Sequence, residues 1–246
     1  MAKIKKIIIG NWKMNPVGGA EALKLAKMAD KSGAIVAPPA VYLGAVKKVL
    51  KKAGLAAQDV FSEDPLAGGA YTGEISAKML KNLGVKYVIV GHSERRAMGE
   101  TSEMINKKIK VCLKEKIVPV LCVGEQDRNG TMEYFHVIKE ELQMALDGVA
   151  KNSLKNLVIA YEPVWAIGRK ALREATPEEF LEIKIFIKKV LSDIFGVKDA
   201  SAVKIIYGGS VDEKNAADFL ARGEADGLLI GRASLNANKF LKICNQ

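Results

Sequence analysis

The sequence predicts an α/β fold, a closed (β/α)8 barrel built as one domain over residues 1–246, and three observations carry that expectation. Short β-rich runs alternate with longer helical patterns eight times from end to end. Such alternation argues for a parallel sheet with right-handed crossovers. Most of the strand candidates are apolar without strict polar alternation, as expected of a sheet covered by helices. The length of 246 residues suits one barrel, and no composition break, linker or low-complexity segment divides the chain. An open doubly wound sheet is the alternative; eight units in this length favour closure.

In chain order, KIIIGN leads into a helical pattern over residues 18–31, and AIVAPP into one over 40–52. LAAQDV precedes 76–83, YVIVGH precedes 102–115, and VPVLCV precedes 132–150. LVIAYE, VKIIYG and DGLLIG precede 177–195, 212–221 and 233–243. The helix at 177 carries a full start signal. Thr176 can cap it, Pro177 fits the first turn, and Glu179 completes a capping box.

Composition narrows the class. With 49% hydrophobic and 27% charged residues the chain can bury a sizeable core. The opening MAKIKKIIIGNW has only a three-isoleucine run, too short for a signal-peptide core. No stretch approaches the ~18 apolar residues of a membrane span. Three cysteines without paired spacing suggest free thiols in a reducing compartment, so the cytoplasm is the expected address. Two histidines and no CxxC give no metal-binding pattern, and no cofactor motif is present. The net charge of +10 is spread through segments such as AVKKVLKKAG, spaced like solvated helix faces rather than a nucleic-acid stripe. The same positive field would raise encounter rates with an anionic substrate.

Active residues of such barrels sit at the carboxyl ends of strands. Those ends read Asn11-Trp12-Lys13, His92-Ser93-Glu94-Arg95, Glu162, Gly208-Gly209-Ser210 and Gly231-Arg232. Singly, each has a plain structural explanation. Lys13 reads as a surface lysine, His92 as a core hydrogen-bonder, Glu162 as the balance of a nearby cation, and Ser210 to Glu213 as a capping box. At equivalent positions of one repeating unit they form a set. The glycine turns YGGS and IGRAS would offer backbone N–H groups near helix starts, which suits phosphate. A carboxylate that takes a proton from carbon beside a carbonyl, a neutral imidazole that donates to the oxygen, and an ammonium for the developing charge together describe an aldose–ketose isomerisation of a small phosphorylated sugar. Pro163 to Gly168 (Pro163, Val164, Trp165, Ala166, Ile167, Gly168) reads as an apolar flap, hinged at both ends, that excludes water from Glu162.

The ordered set NWKMN, GAYTGEIS, GHSERR, CVGE, AYEPVWAIG, YGGSV and DGLLIG-x-ASL resembles the triosephosphate isomerase family across essentially the whole chain. The resemblance implies a TIM barrel that interconverts dihydroxyacetone phosphate and glyceraldehyde 3-phosphate. It implies Glu162 as base, His92 as neutral electrophile, and Lys13 and Asn11 as ligands of substrate and enediolate. Glu94 would orient Lys13, Ser93 would set the helix start beside His92, and Cys122 would lie buried beside the base. Gly168, Ser210 and Gly231 match positions whose N–H groups hold phosphate. A homodimer is implied too, with Thr72 near the active site of the neighbouring subunit and Glu74 near an arginine there, such as Arg95. Three departures stand out. The segment Arg169 to Ala175 replaces a threonine–glycine–lysine type hinge and is about two residues longer. Arg232 replaces a glycine of the last phosphate turn and would be strained if that site requires φ > 0. The segment Ala97 to Glu100 is one residue shorter, as in a surface trim. Another phosphate-binding barrel enzyme and a non-catalytic basic binding protein are the competing readings, and the presence of Lys13, His92 and Glu162 disfavours the second.

Overall fold

The computed structural model describes residues 6–64, 68–128, 132–168, 171 and 173–246 and closes eight parallel strands into a barrel in chain order. The strands are β1 (Ile7–Asn11), β2 (Ile35–Ala37), β3 (Gly54–Ala57), β4 (Tyr87–Val90), β5 (Val118–Val123), β6 (Val158–Tyr161), β7 (Lys204–Tyr207) and β8 (Gly227–Ile230). Closure is made by β8 on β1, with Ile7 opposite Gly227 and Gly10 opposite Ile230. The helices are α1 (Gly19–Asp30), α2 (Leu43–Val49), α3 (Ala77–Asn82), α4 (Ser93–Ala97), α5 (Ser102–Lys114), α6 (Glu133–Ala145), α7 (Pro177–Phe195), α8 (Val197–Ala202), α9 (Ala216–Ala221) and α10 (Ala237–Cys244). The open-sheet alternative is excluded. Among the described residues no helix is long and apolar enough to cross a membrane.

The strands read as continuous apolar runs because each is buried on both faces, yet their side chains alternate between two cores. Ile9, Ala37, Ala56, Ile89, Val120, Cys122, Val158, Ala160, Ile206 and Leu229 fill the barrel interior. Their neighbours, among them Ile8, Val36, Val88, Leu121, Ile159, Ile205 and Leu228, pack outward under the helices. The inward phase fixes the site. Stepping two residues beyond Ile9, Cys122, Ala160, Ile206 and Leu229 reaches Asn11, Gly124, Glu162, Gly208 and Gly231, all on the strands' carboxyl side.

Several local expectations shift. α7 starts and ends where the sequence places it, and Thr176 and Glu179 make the reciprocal capping box, worth about 1 kcal/mol. The expected helix over 40–52 divides into a 3₁₀ turn at Ala40–Tyr42 and α2. Ser210 to Glu213 makes no capping box. Asp212 Oδ1 accepts from the Lys214 and Asn215 N–H groups, so this local turn delays the helix to Ala216. α4 and α8 fall outside the helices read from the sequence. In the shortened segment Ala97, Met98 and Gly99 are exposed, whereas Glu100 is buried and bonded to the buried Lys108, whose Nζ also donates to Asp59 Oδ1 at 2.6 Å.

Candidate functional site

β1 carries Asn11 into the barrel mouth and then turns sharply. Lys13 has φ +53, a left-handed conformation that costs a side-chain-bearing residue about 1–3 kcal/mol. Hydrogen bonds on both sides hold it there: Lys13 N–H donates to Asn11 Oδ1 at 3.0 Å, and Gln58 Nε2 donates to Lys13 O at 2.8 Å. The strained turn aims the Lys13 ammonium at Glu94 Oε1, 2.6 Å away. Both groups remain partly exposed, so the pair orients Lys13 more than it stabilises the fold.

β4 ends at Gly91, whose φ of +69 reverses the chain before α4. His92 is the N-cap of α4 and is buried. Its Nδ1 accepts from the Glu94 N–H at 3.1 Å, which assigns the lone pair to Nδ1 and the proton to Nε2. Nε2 then faces Glu162 Oε1 at 3.3 Å. The other oxygen, Glu162 Oε2, accepts from Ser93 N–H at 3.0 Å. Glu162 itself is only 3% exposed, closing β6 beneath Pro163. One buried carboxylate, one imidazole N–H and one ammonium therefore meet at one mouth. Cys122 lies below, and burial together with the neighbouring Glu162 holds its thiol well above the usual range, which marks it as packing rather than nucleophile.

Pro163 to Gly168 has a 3₁₀ turn at Val164–Ala166 and rests on Glu125 and Ser210. Trp165 Nε1 and the Tyr161 hydroxyl both donate to Glu125 Oε1, at 2.7 and 2.8 Å. Val164 N–H donates to Glu125 O at 3.0 Å, and Ser210 Oγ donates to Ala166 O at 2.9 Å. The second half of the flap is only partly described: Arg169, Lys170 and Leu172 lie outside the described residues. Arg173 is described, and its guanidinium sits 4.6 Å over the Trp165 ring while gripping Glu179 through both nitrogens, at 2.9 and 2.5 Å.

That grip gives a pH prediction. Arg173, and then the Thr176 N–H, hold Glu179 down at about 2 against an ordinary value of 4.5. A depressed carboxylate contributes stability that is present above 4.5 and is lost as pH falls towards 2. The Tm difference between wild type and Glu179→Gln is therefore expected to shrink steadily on acidification below about pH 4.5. A difference that stays constant to pH 3 or so would refute the ion pair's part in it.

A cavity of about 810 Å³ joins these parts to the glycine turns. Among the described residues, the backbone N–H groups of Gly168, Ser210, Gly231 and Arg232 have no protein acceptor, and all four residues line this cavity. Such a ring of unspent donors facing Lys13 fits a dianion. Arg232 has no positive φ, so the condition for strain is not met; it opens a 3₁₀ turn and its N–H stays available. At Ser210 the N–H is the unspent donor, because the hydroxyl proton is already given to Ala166 O at 2.9 Å. Among the described residues no cluster of three or more His, Cys, Asp or Glu side chains is placed to hold a metal.

Two supporting residues escaped the sequence reading, Glu125 and Arg173. Glu125 follows β5 and would have emerged had the strand-end rule been applied there. Arg173 gives no comparable signal, since its contacts depend on how the flap folds back.

A family model described as triosephosphate isomerase matches residues 6–246. The chain is 43% identical to a triosephosphate isomerase of Thermoanaerobacter pseudethanolicus, over 98% of this chain and 99% of that protein. It is 42% identical to one of Alkaliphilus oremlandii, with the same coverage of each. One of Shewanella denitrificans is 40% identical, over 99% of this chain and 98% of its own. With its barrel closed and its mouth furnished as described, the chain belongs to the triosephosphate isomerase family.

Proposed function

We propose that residues 1–246 act as one catalytic unit that interconverts dihydroxyacetone phosphate and D-glyceraldehyde 3-phosphate with Glu162 as base, a step of glycolysis and gluconeogenesis. The observation that carries the assignment is the convergence of Glu162, His92 Nε2–H and Lys13 on one cavity ringed by unspent N–H groups. Glu162 removes a proton from the carbon beside the carbonyl, and the electron pair left behind moves to the carbonyl oxygen. His92 donates from Nε2 to that oxygen, while Lys13 and Asn11 stabilise the enediolate charge. His92 next takes the hydroxyl proton of the neighbouring oxygen, and Glu162 returns its proton to the neighbouring carbon. Two hydrogens change places, none is lost, and the step needs only proton transfers. Glu94 keeps Lys13 aimed, and Ser93 N–H holds Glu162 ready.

Gly168, Ser210, Gly231 and Arg232 hold the phosphate through their backbone N–H groups. Pro163 to Gly168 is the lid: phosphate contact at Gly168 draws the apolar turn over the base and excludes water. A coupled isomerase assay tests the whole assignment. Turnover of the phosphorylated triose, inhibition by 2-phosphoglycolate and a large loss of kcat/KM on an unphosphorylated aldehyde are expected. No turnover would sink the assignment, and equal specificity for both substrates would sink the lid's use of phosphate.

The working form is a homodimer in the cytoplasm. Supporting the dimer, a second cavity of about 370 Å³ adjoins the first, sharing Asn11, Lys13, His92 and Glu94. Exposed Met14 and Met98 flank it, and exposed Thr72 and Glu74 lie on a segment that offers a plug for the same cavity on a second copy. Arg95 lines that cavity and is half-exposed despite its 2.8 Å pair with Asp59, which suits a partner's Glu74. Free thiols at Cys112, Cys122 and Cys244 support the reducing compartment. Sedimentation velocity is expected to give twice the 26.6 kDa chain mass. Glu74→Arg should shift the protein towards monomer and lower activity with it. A fully active 26.6 kDa species would refute the dimer's role.

A further inference from the structure

We propose that Arg96 and Glu141 are a positioning pair that keeps the imidazole and the base in register from behind, by tying the ends of β4 and β5 to α6. This rests on the isomerase reading, with His92 and Glu162 as the groups that move protons. Those two groups follow β4 and β6, with β5 between them, so the 3.3 Å from His92 Nε2 to Glu162 Oε1 depends on how the end of β5 is held. The backbone ladder stops short of that point. β4 pairs with β5 only as far as Val90 opposite Leu121, and Gly91 then turns away at φ +69. Beyond Leu121 side chains take over.

The Arg96 guanidinium spans the gap. Its Nε donates to Gly91 O at 2.8 Å, just before His92, and its Nη2 donates to Cys122 O at 3.2 Å. Its backbone N–H donates to His92 O at 3.0 Å, so the carbonyls before and at His92 are both held. Nη1 lies 3.4 Å from Glu141 Oε1 on α6, and Glu141 Oε2 accepts from Gly124 N–H at 3.0 Å. Val123 O, between the two anchored residues, accepts from the Glu162 N–H at 2.8 Å. The three residues that back the base are therefore all fixed: Cys122 by Arg96, Gly124 by Glu141, and Val123 to Glu162 itself. Arg96 and Glu141 are only 17% and 16% exposed, so the screening that weakens surface pairs is much reduced. Neither residue lines the mouth cavity or its neighbour, so the pair acts through His92 and Glu162.

A displaced imidazole and base lose rate, while the phosphate donors stay where they are. Gly168, Ser210, Gly231 and Arg232 follow β6, β7 and β8 and are not bonded to either member of the pair. Arg96→Lys keeps the charge but cannot serve Gly91 O, Cys122 O and Glu141 from one planar fork. Glu141→Gln keeps the shape, but its one oxygen serves Gly124 N–H and leaves an amide N–H2 facing Arg96. Each is expected to lower kcat by about ten- to a hundredfold, with KM and the inhibition constant of inorganic phosphate within about twofold of wild type. Because the two residues act as a unit, the double variant should be no slower than the slower single one, within about twofold. Ile243→Ala, a core truncation on α10, is the control for stability alone: it should lower Tm and leave kcat at the wild-type level.

If Arg96→Lys does not fold, Glu141→Gln alone carries the split between kcat and KM. Wild-type kcat in a folded single variant would overturn the pair. So would losses that multiply in the double variant, because the residues would then act separately, and so would a matching loss of kcat in Ile243→Ala. A rise in KM and in the phosphate constant as large as the fall in kcat would place the pair behind phosphate binding and overturn it too. Absence of isomerase turnover in the wild type overturns the underlying reading as well, whereas wild-type turnover retained in both variants overturns the pair alone.

Discussion

Glu162→Gln is expected to lower kcat by at least ~10², about 2.7 kcal/mol of barrier, while KM changes little. The amide keeps the shape of the carboxylate and one oxygen for the Ser93 N–H now bonded to Oε2 at 3.0 Å. It cannot take a proton from carbon. Because Glu162 is buried, a shorter or charged replacement would mix packing loss with chemical loss, and the isostere avoids that. Tm within about a degree or two of wild type should accompany the loss, since the side chain's shape and its hydrogen bond from Ser93 N–H are retained. Steady-state kinetics in both directions with a thermal melt decide the matter. Near-full activity in the variant would remove Glu162 as the base, and a collapsed Tm would leave its loss to folding.

The position of Glu162 was legible because one rule served twice. The apolar run of β6 marks a strand, and its first non-apolar residue marks the strand's carboxyl end, where such barrels place their chemistry. The same step reached Asn11, His92, Ser210 and Gly231. What could not be read was the phase. Asn11 and Glu162 are inward because they continue the alternation of Ile9 and of Val158 and Ala160. In the one-dimensional text both faces look equally apolar. His92 belongs to no such phase; it is brought in by the left-handed turn at Gly91.

Short elements were the other blind spot. α4 and α8 are five and six residues long, less than two turns, so neither carries a full amphipathic period. The Asp212 turn that delays α9 shows the opposite failure, a capping pattern that matched in spacing while the side chain chose other N–H groups. Residue type alone leaves Arg232 open between strain and none, because φ is not written in the sequence; its backbone needs no glycine. The Arg173 stack on Trp165 joins residues eight apart through a loop whose path no local pattern dictates.

Gly124→Ala is expected to damage stability and catalysis together. Gly124 continues the inward phase of Val120 and Cys122 at the end of β5, beside the base. A Cβ there would stand 1.9 Å from the Glu162 carbonyl oxygen and 2.6 Å from its carbonyl carbon. These are backbone atoms, with no flexible end to swing away. The neighbouring backbone is pinned as well, by Glu162 N–H to Val123 O at 2.8 Å and Val164 N–H to Glu125 O at 3.0 Å. Relief must come from moving β6 away from β5, and Glu162 moves with it. Overpacking costs about 1–3 kcal/mol and sometimes more, so Tm should fall by several degrees, at about 2–4 °C per kcal/mol for a chain this long. Displacing a positioned carboxylate by even ~1 Å can cost on the order of 10² in rate, so kcat/KM should fall further than the lost stability alone would suggest. Gly44→Ala is the matched control, since a Cβ there meets nothing within 4 Å and its φ lies outside the left-handed range. The physical claim is that Gly124 is required by the approach of two strand ends rather than by a turn. Wild-type Tm and turnover in Gly124→Ala would defeat it, whereas joint loss, with Gly44→Ala unchanged, would place the base's precision in the closeness of β5 to β6.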